Sequence, residues 1–142
     1  MSKGLIHHIE LNVSNLKNSI IFWEWFLEEL GYEPYQTWGN GRSWKLGETY
    51  IVFVQSEERF MDIPYHRRRS GLNHLAFHAS SRQQVDDMTE KLKSMGVKIL
   101  YTDTHPFAGG DKHYAVYFED PDRMKIELVA PSFSLTREIK KP

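Results

Sequence analysis

A chain of 142 residues with 40% hydrophobic residues is long enough to bury a core and short enough to fold as one domain. Its formal net charge of −1 gives no electrostatic reason to expect a nucleic acid or a membrane as partner. It contains no cysteine, which excludes disulfides and thiolate ligands and favours a cytoplasmic location. The N-terminus lacks the apolar core of a signal peptide, and no run reaches the roughly 20 apolar residues of a transmembrane helix.

The first half of the chain is predicted to form a strand, a helix and three further strands. Residues 6–13 alternate as a half-buried strand does, and the polar side chains on one face are those of His8, Glu10 and Asn12. The helix begins at Ser14 or Asn15, and Gly31 occupies the left-handed position beyond its end. The further strands are predicted in three segments: 32–38, 42–46 and 49–55.

The second half repeats this order after a polar linker at about residues 57–70. The Arg67–Arg69 triplet in the linker either holds an anionic substrate or is solvated. A strand at 72–79 precedes a helix that begins at Ser81, where Gln84 completes a capping box. Three more strands are predicted after this helix: 97–102, 114–119 and 124–130.

The repeat places chemically active side chains at equivalent positions. His8 and His74 lie on the first strands of the two halves, and Glu127 is the only acid inside the strongly apolar last strand. A buried carboxylate is costly unless it is paired or bound to a metal. Two imidazoles and one carboxylate from three strands suit a borderline divalent ion, as in the facial triad of iron(II) sites.

Three segments give the chain a family resemblance: Leu5–Ile9, Gly71–Phe77 and Phe118–Leu128. In these segments the chain resembles the vicinal oxygen chelate superfamily, which includes glyoxalase I, extradiol dioxygenases, fosfomycin-modifying thiol transferases and bleomycin-binding proteins. The family usually has glycine where Arg123 stands, so the turn at this point must accommodate a Cβ atom.

The resemblance implies an α+β fold of two tandem βαβββ modules that form a cupped mixed sheet around a central metal cavity. We therefore interpret residues 1–142 as a single glyoxalase-like domain. Its parts are expected at these positions: a first module at about 4–56, the linker, a second module at about 71–131 and a C-terminal tail at 132–142.

The resemblance also implies that one divalent ion (Fe, Mn, Zn, Ni or Co) is held by His8, His74 and Glu127. The substrate would then chelate the metal through adjacent oxygens. At the family's fourth ligand position this chain has Val52 or, shifted by one residue, Phe53, and neither binds a metal. The fourth ligand is then water or Gln55, and glyoxalase I activity, which uses a carboxylate there, is disfavoured.

Four further residues are candidates for the site. Family members place a tyrosine at Tyr117 that hydrogen-bonds the substrate, although a core tyrosine is the alternative. Glu10 is a candidate general base, with support of a metal ligand or simple solvation as alternatives. His78 and Tyr50 are candidate substrate-binding residues. The remaining loop histidines are expected at the surface: His66, His105 and His113.

Two functions follow from these patterns. The first is a metal-dependent enzyme of the isomerase or lyase, thiol transferase or dioxygenase type, acting on a small molecule. Fosfomycin recognition typically uses a lysine together with serines near this point; residues 107–115 contain Lys112 but no serine, which disfavours that substrate. The alternative is a non-catalytic, bleomycin-resistance-like binding protein, whose groove would be lined by four aromatic residues: Trp38, Trp44, Tyr50 and Tyr65.

A homodimer is implied by the resemblance. The first helix gives this expectation local support, because one narrow stripe cannot bury all of its aromatic side chains. The aromatic side chains expected at an exposed, pairing surface are those of Trp23, Trp25 and Phe26.

Overall fold

A computed structural model describes residues 3–132 of the chain. The chain divides into two compact units, Met1–Tyr65 and His66–Pro142. The boundary falls inside the predicted linker, and a single 3-10 turn (Glu58–Phe60) also lies there. The predicted tail at 132–142 lies, apart from Ser132, outside the described residues. No helix of the described part is long and apolar enough to cross a membrane.

The first unit contains one helix and a four-stranded sheet. Its elements are β1 (His8–Val13), α1 (Leu16–Glu29), β2 (Glu33–Trp38), β3 (Gly41–Leu46) and β4 (Thr49–Gln55). The strand order is β1-β4-β3-β2, with β1 parallel to β4 and the other pairs antiparallel. The predicted element order of the first module is confirmed.

Both ends of α1 follow from local chemistry. Asn15 is the N-cap, and its side chain accepts a hydrogen bond from the backbone N–H of Asn18 at 3.1 Å. The side chain of Gln55 adds a second cap, because its Oε1 accepts from the Leu16 N–H at 2.8 Å. Beyond the helix, Gly31 has a φ of 96°, which a glycine adopts without strain.

The aromatic side chains of α1 correct one expectation. Trp23 and Phe26 are 0% exposed, so they form core rather than a pairing surface. Trp23 lies against Phe53 of β4, with the ring centroids 4.8 Å apart. The expectation of exposure was wrong for Trp23 and Phe26, because aromatic rings on adjacent turns pack against one another and against the sheet, while Trp25 is half-buried. The homodimer therefore rests on the resemblance alone.

The second unit contains one helix and a three-stranded sheet. Its elements are β5 (His74–His78), α2 (Arg82–Ser94), β6 (Ala115–Glu119) and β7 (Lys125–Val129). The order is β5-β7-β6, with β5 parallel and β6 antiparallel to the central strand β7. Ser81 caps α2 by accepting from the Gln84 N–H at 3.1 Å, as predicted. The α+β class is thus confirmed for both units.

The strand predicted at 97–102 was wrong in extent. Only Ile99 pairs with β6, through an isolated antiparallel bridge to Phe118. Tyr101 then takes a φ of 55°, in the left-handed region, which turns the chain away from the sheet edge. The segment that follows forms a series of turns up to His113.

The turn before β7 is held by a network around Asp120. Its Oδ1 accepts from the backbone N–H groups of Asp122 and Met124, each at 2.8 Å. Arg67 reaches the same turn, donating to Glu119 Oε2 at 2.8 Å and to the Arg123 carbonyl at 2.9 Å. Arg67 therefore stabilises this turn. From the sequence, only substrate binding or solvation was considered for the Arg67–Arg69 triplet.

Arg123 itself has a φ of 65°, a conformation that costs a non-glycine residue roughly 1–2 kcal/mol. Glycine removes this strain and loses about 0.5–1 kcal/mol to its own flexibility. We therefore expect Arg123→Gly to raise the free energy of unfolding by about 0.5–1 kcal/mol, measured by urea denaturation.

Arg123→Ala is the matched control, because it removes the guanidinium group but keeps the Cβ atom. It should bring no gain in stability. Equal stabilisation by both substitutions would show that the side-chain charge, and not the backbone conformation, limits stability at this turn.

Candidate metal centre

The sheet of the second unit brings three of the predicted residues to one face. In the antiparallel register of β6 and β7, Tyr117 lies opposite Glu127. In the parallel register of β5 and β7, Ala76 lies opposite Glu127, and His74 is two residues before Ala76 on the same face of β5. The Glu127 side chain, only 5% exposed, is thus flanked from both neighbouring strands.

The two carboxylate oxygens of Glu127 contact two different imidazoles. His74 Nε2 lies 3.2 Å from Oε1, and His113 Nε2 contacts Oε2. Tyr117 also hydrogen-bonds Glu127. Burial, then the charge of Glu127 and this hydrogen bond, raise the pKa of the Tyr117 phenol to about 12.

The orientation of the His74 ring is set by its neighbour Asn73. His74 Nδ1 lies 2.7 Å from Asn73 Oδ1, and because this oxygen can only accept, Nδ1 carries the proton. In neutral His74 the lone pair of Nε2 then faces Glu127 Oε1 at 3.2 Å. Two lone pairs at this distance require a cation between them, either a proton or a metal ion. The donor set fits a divalent metal, which takes neutral imidazole and carboxylate ligands.

His8 lies in the first unit, exposed at the start of β1. Its ring stacks on Tyr50, with centroids 4.7 Å apart and an interplanar angle of 3°. The Tyr35 ring packs edge-on against the Tyr50 ring, with the two ring centroids 5.1 Å apart. These contacts orient the His8 imidazole, so Tyr50 supports a predicted ligand, while its role in substrate binding stays a prediction.

The other predicted site residues have fewer contacts. Glu10 is exposed on β1, and His78 is exposed at the end of β5. Val52 pairs with Glu10 as Glu127 pairs with Ala76, which confirms that an apolar side chain occupies the equivalent position of the first unit.

Gln55 is the residue that the sequence left open as a fourth ligand. Its Oε1 accepts from Leu16, and its Nε2 donates to the Ser14 carbonyl at 2.9 Å. Both ends of the amide are therefore engaged at the start of α1, which gives Gln55 a structural role and favours water over Gln55 as the fourth ligand.

Within residues 3–132, no group of three or more His, Cys, Asp or Glu side chains is arranged to hold a metal ion. The second unit supplies His74 and Glu127 as a close pair. The complete site of His8, His74 and Glu127 stays a prediction.

His113 is a residue that sequence reasoning missed. It was assigned to the surface, and its side chain is 41% exposed, but its Nε2 also contacts the buried carboxylate of Glu127, which was not predicted. Alternation gave a partial signal, since His113, Ala115 and Tyr117 share one face of β6 if the strand is extended backwards. Register alone places His113 too far along the strand to reach Glu127, and the preceding loop makes the contact possible.

The aromatic groove of the binding-protein alternative loses one of its members. Trp44 is 1% exposed and donates through Nε1 to Glu28 at 3.2 Å. It is a core residue of the first unit. Trp38 and Tyr65 are exposed, at 45% and 36%.

Comparison with known proteins places these features in a family. A sequence profile of the Glyoxalase/Bleomycin resistance protein/Dioxygenase superfamily matches residues 5–128. The chain is 63% identical over 127 residues to YqjT, an uncharacterised protein of Bacillus subtilis (strain 168), covering 89% of this chain and 99% of YqjT.

Two solved structures show the same fold. The crystal structure of a candidate glyoxalase from Bacillus halodurans has 60% sequence identity and a TM-score of 0.90, covering 91% of this chain and 97% of that chain. The fosfomycin resistance protein FosX from Listeria monocytogenes, complexed with Mn(II) and sulfate, has 22% identity and a TM-score of 0.64, covering 99% and 100%. The resemblance inferred from the three sequence segments is confirmed: the chain belongs to the glyoxalase/bleomycin resistance protein/dioxygenase superfamily.

Proposed function

We propose that this protein is a divalent-metal-dependent enzyme that acts on a small substrate with two adjacent oxygens. The metal would be held by His8, His74 and Glu127. A metal in this position would act as a Lewis acid toward the chelated substrate. The reaction would be of the isomerase or lyase, thiol transferase or dioxygenase type.

The observation that carries this proposal is the pairing of His74 with the buried Glu127. Asn73 holds the His74 proton on Nδ1, which directs a lone pair toward the carboxylate at 3.2 Å. A carboxylate with this little exposure, facing a second Lewis base, is the electrostatic setting that a cation relieves. A non-catalytic binding protein of the bleomycin-resistance type would have no use for a metal site here.

Two comparisons support a metal of this kind. FosX, a fosfomycin resistance protein of the same fold, is known in complex with Mn(II). The apolar Val52 at the position equivalent to Glu127 matches three-residue metal sites more closely than the four-ligand site of glyoxalase I. We therefore place the protein among the three-ligand members and assign no specific substrate.

The remaining candidate residues would act on the substrate. Tyr117, kept neutral by its raised pKa, would donate a hydrogen bond to a substrate oxygen. Glu10, exposed on the polar face of β1, would accept a proton from the substrate. His78 and Tyr50 would contact parts of the substrate that do not react. A homodimer and a cytoplasmic location complete the proposal.

Removal of a ligand tests the proposed metal site. We expect the purified protein to bind one equivalent of Mn(II), Fe(II), Co(II), Ni(II) or Zn(II). His74→Ala and Glu127→Ala should each weaken this binding by more than about 100-fold, beyond the roughly 10–100-fold loss typical of residues that only support a ligand. His8→Ala should do the same, and calorimetric titration of the metal-free protein measures all three.

His66→Ala is the matched control, because His66 is an exposed histidine whose Nδ1 accepts from the Arg68 backbone N–H at 3.0 Å. It should bind metal as the wild type does. If the wild-type protein takes up none of the five metals, the enzyme proposal is wrong and the binding-protein alternative remains.

The raised pKa of Tyr117 gives a second test, made on the metal-free protein. One of the 7 tyrosines should ionise near pH 12, and Tyr117→Phe should remove that step from the ultraviolet titration. The pKa of a tyrosine in the unfolded chain is near 10, and that of Tyr117 in the folded protein is about 12. The folded state therefore binds the phenolic proton of Tyr117 more tightly than the unfolded state does.

The contribution to stability is therefore complete below about pH 10 and is lost as the pH rises through about 12. The stability difference between the wild type and Tyr117→Phe should shrink in that window. Ionisation of every tyrosine near pH 10 would contradict the placement of this phenol beside the charged Glu127.

A further inference from the structure

We propose that His113 is a positioning residue that holds the Glu127 carboxylate through its Oε2 atom, so that Oε1 is directed toward His74 and the metal. This inference rests on the proposed function. It adds a residue that the sequence analysis did not assign to the site.

The two carboxylate oxygens of Glu127 have different partners. Oε1 lies 3.2 Å from His74 Nε2, and Oε2 contacts His113 Nε2. A carboxylate that binds a metal through one oxygen needs a partner for the other, because an unpartnered buried oxygen costs free energy and leaves the group free to rotate. His113 is that partner.

The imidazoles of His74 and His113 have different roles toward Glu127. In neutral His74 the single ring proton is on Nδ1, where it is donated to Asn73 Oδ1 at 2.7 Å. Among residues 3–132, the hydrogen-bond partner of the His113 side chain is Glu127. An ionised carboxylate can only accept a hydrogen bond. Neutral His113 therefore carries its proton on Nε2 and donates it. One imidazole presents a lone pair to the site and the other presents a donor.

The backbone at Gly109 fixes the position of the His113 ring. A Cβ atom added at Gly109 would lie 2.4 Å from Cδ2 of His113 and 2.8 Å from the Tyr117 hydroxyl. Only glycine lets the chain approach both rings this closely. The loop is held by backbone hydrogen bonds, including Gly110 N–H to the Phe107 carbonyl at 3.0 Å and His113 N–H to the Gly110 carbonyl at 3.0 Å.

The role of Gly109 makes the geometry testable without changing a titratable group. A methyl group at residue 109 must displace the His113 ring, the Tyr117 hydroxyl or the loop itself. Gly109→Ala should therefore act on metal binding in the same direction as removal of the His113 side chain.

The experiment measures Mn(II) affinity, with free Mn(II) followed by EPR, in the wild type and four variants. His113→Ala should weaken affinity by about 10–100-fold, the usual effect of removing a group that orients a ligand. His113→Gln should recover most of this loss, because its amide also donates a hydrogen bond to Oε2. Lys112→Ala, at the exposed neighbouring residue, is the control and should bind as the wild type does.

A second readout separates positioning from direct ligation. Pulsed EPR of bound Mn(II) reports the number of coordinated histidine nitrogens, which should be the same in the wild type and in His113→Gln. Loss of one nitrogen signal would overturn the inference by making His113 a ligand itself.

The experiment distinguishes a failure of the positioning role of His113 from a failure of the proposed function. Tight Mn(II) binding by the wild type with unchanged affinity in His113→Ala would overturn the positioning role and leave the proposed function standing. A wild-type protein that binds none of Mn(II), Fe(II), Co(II), Ni(II) and Zn(II) would overturn both. Weaker binding in His113→Ala and Gly109→Ala, recovery in His113→Gln and an unchanged nitrogen count would together establish the role.

Discussion

The burial of one carboxylate governs the second unit of this protein. The Glu127 side chain is 5% exposed, and its chain neighbours Ile126 and Leu128 are 0% exposed. A charge in such surroundings is costly unless hydrogen-bond donors or a cation compensate it. Tyr117 from β6 and His113 from the loop before β6 supply donors to this carboxylate. His74 from β5 faces it with a second lone pair, at the position where we propose a metal ion.

The strand order explains how a short unit gathers these groups. β7 is the central strand, so Glu127 has a parallel neighbour on one side and an antiparallel neighbour on the other. Side chains on the same face of both neighbours can reach it. In the first unit Val52 takes the equivalent register position, and that unit has instead an exposed histidine stacked on Tyr50. The two repeats thus share an architecture but not a charge distribution.

Much of the fold could be predicted from the sequence because it depends on local chemistry. The alternation of β1, the Asn15 and Ser81 caps and Gly31 beyond α1 are all confirmed, and each depends on residues close in the chain. The pairing of His74 with Glu127 could be inferred because the repeat and the family resemblance supplied the long-range information. It did not need the details of any loop.

The failures lie where distant contacts override local pattern. The segment at 97–102 has a strand-like composition, but the left-handed Tyr101 ends its pairing after one bridge. The site role of His113 was missed because it depends on how closely Gly109 approaches its ring, which no periodicity reveals. Trp23 and Phe26 were misjudged because the depth to which a helix sinks into its sheet is a property of the packed core.

The most direct test of this account is anomalous X-ray diffraction from crystals grown with Mn(II). The account predicts one strong peak bonded to His74 Nε2 and Glu127 Oε1, with His113 remaining on Oε2 and outside the coordination sphere. A manganese peak away from Glu127, or an ordered Glu127 and His74 with no peak between them at saturating Mn(II), would contradict the claim that this buried carboxylate is a metal ligand.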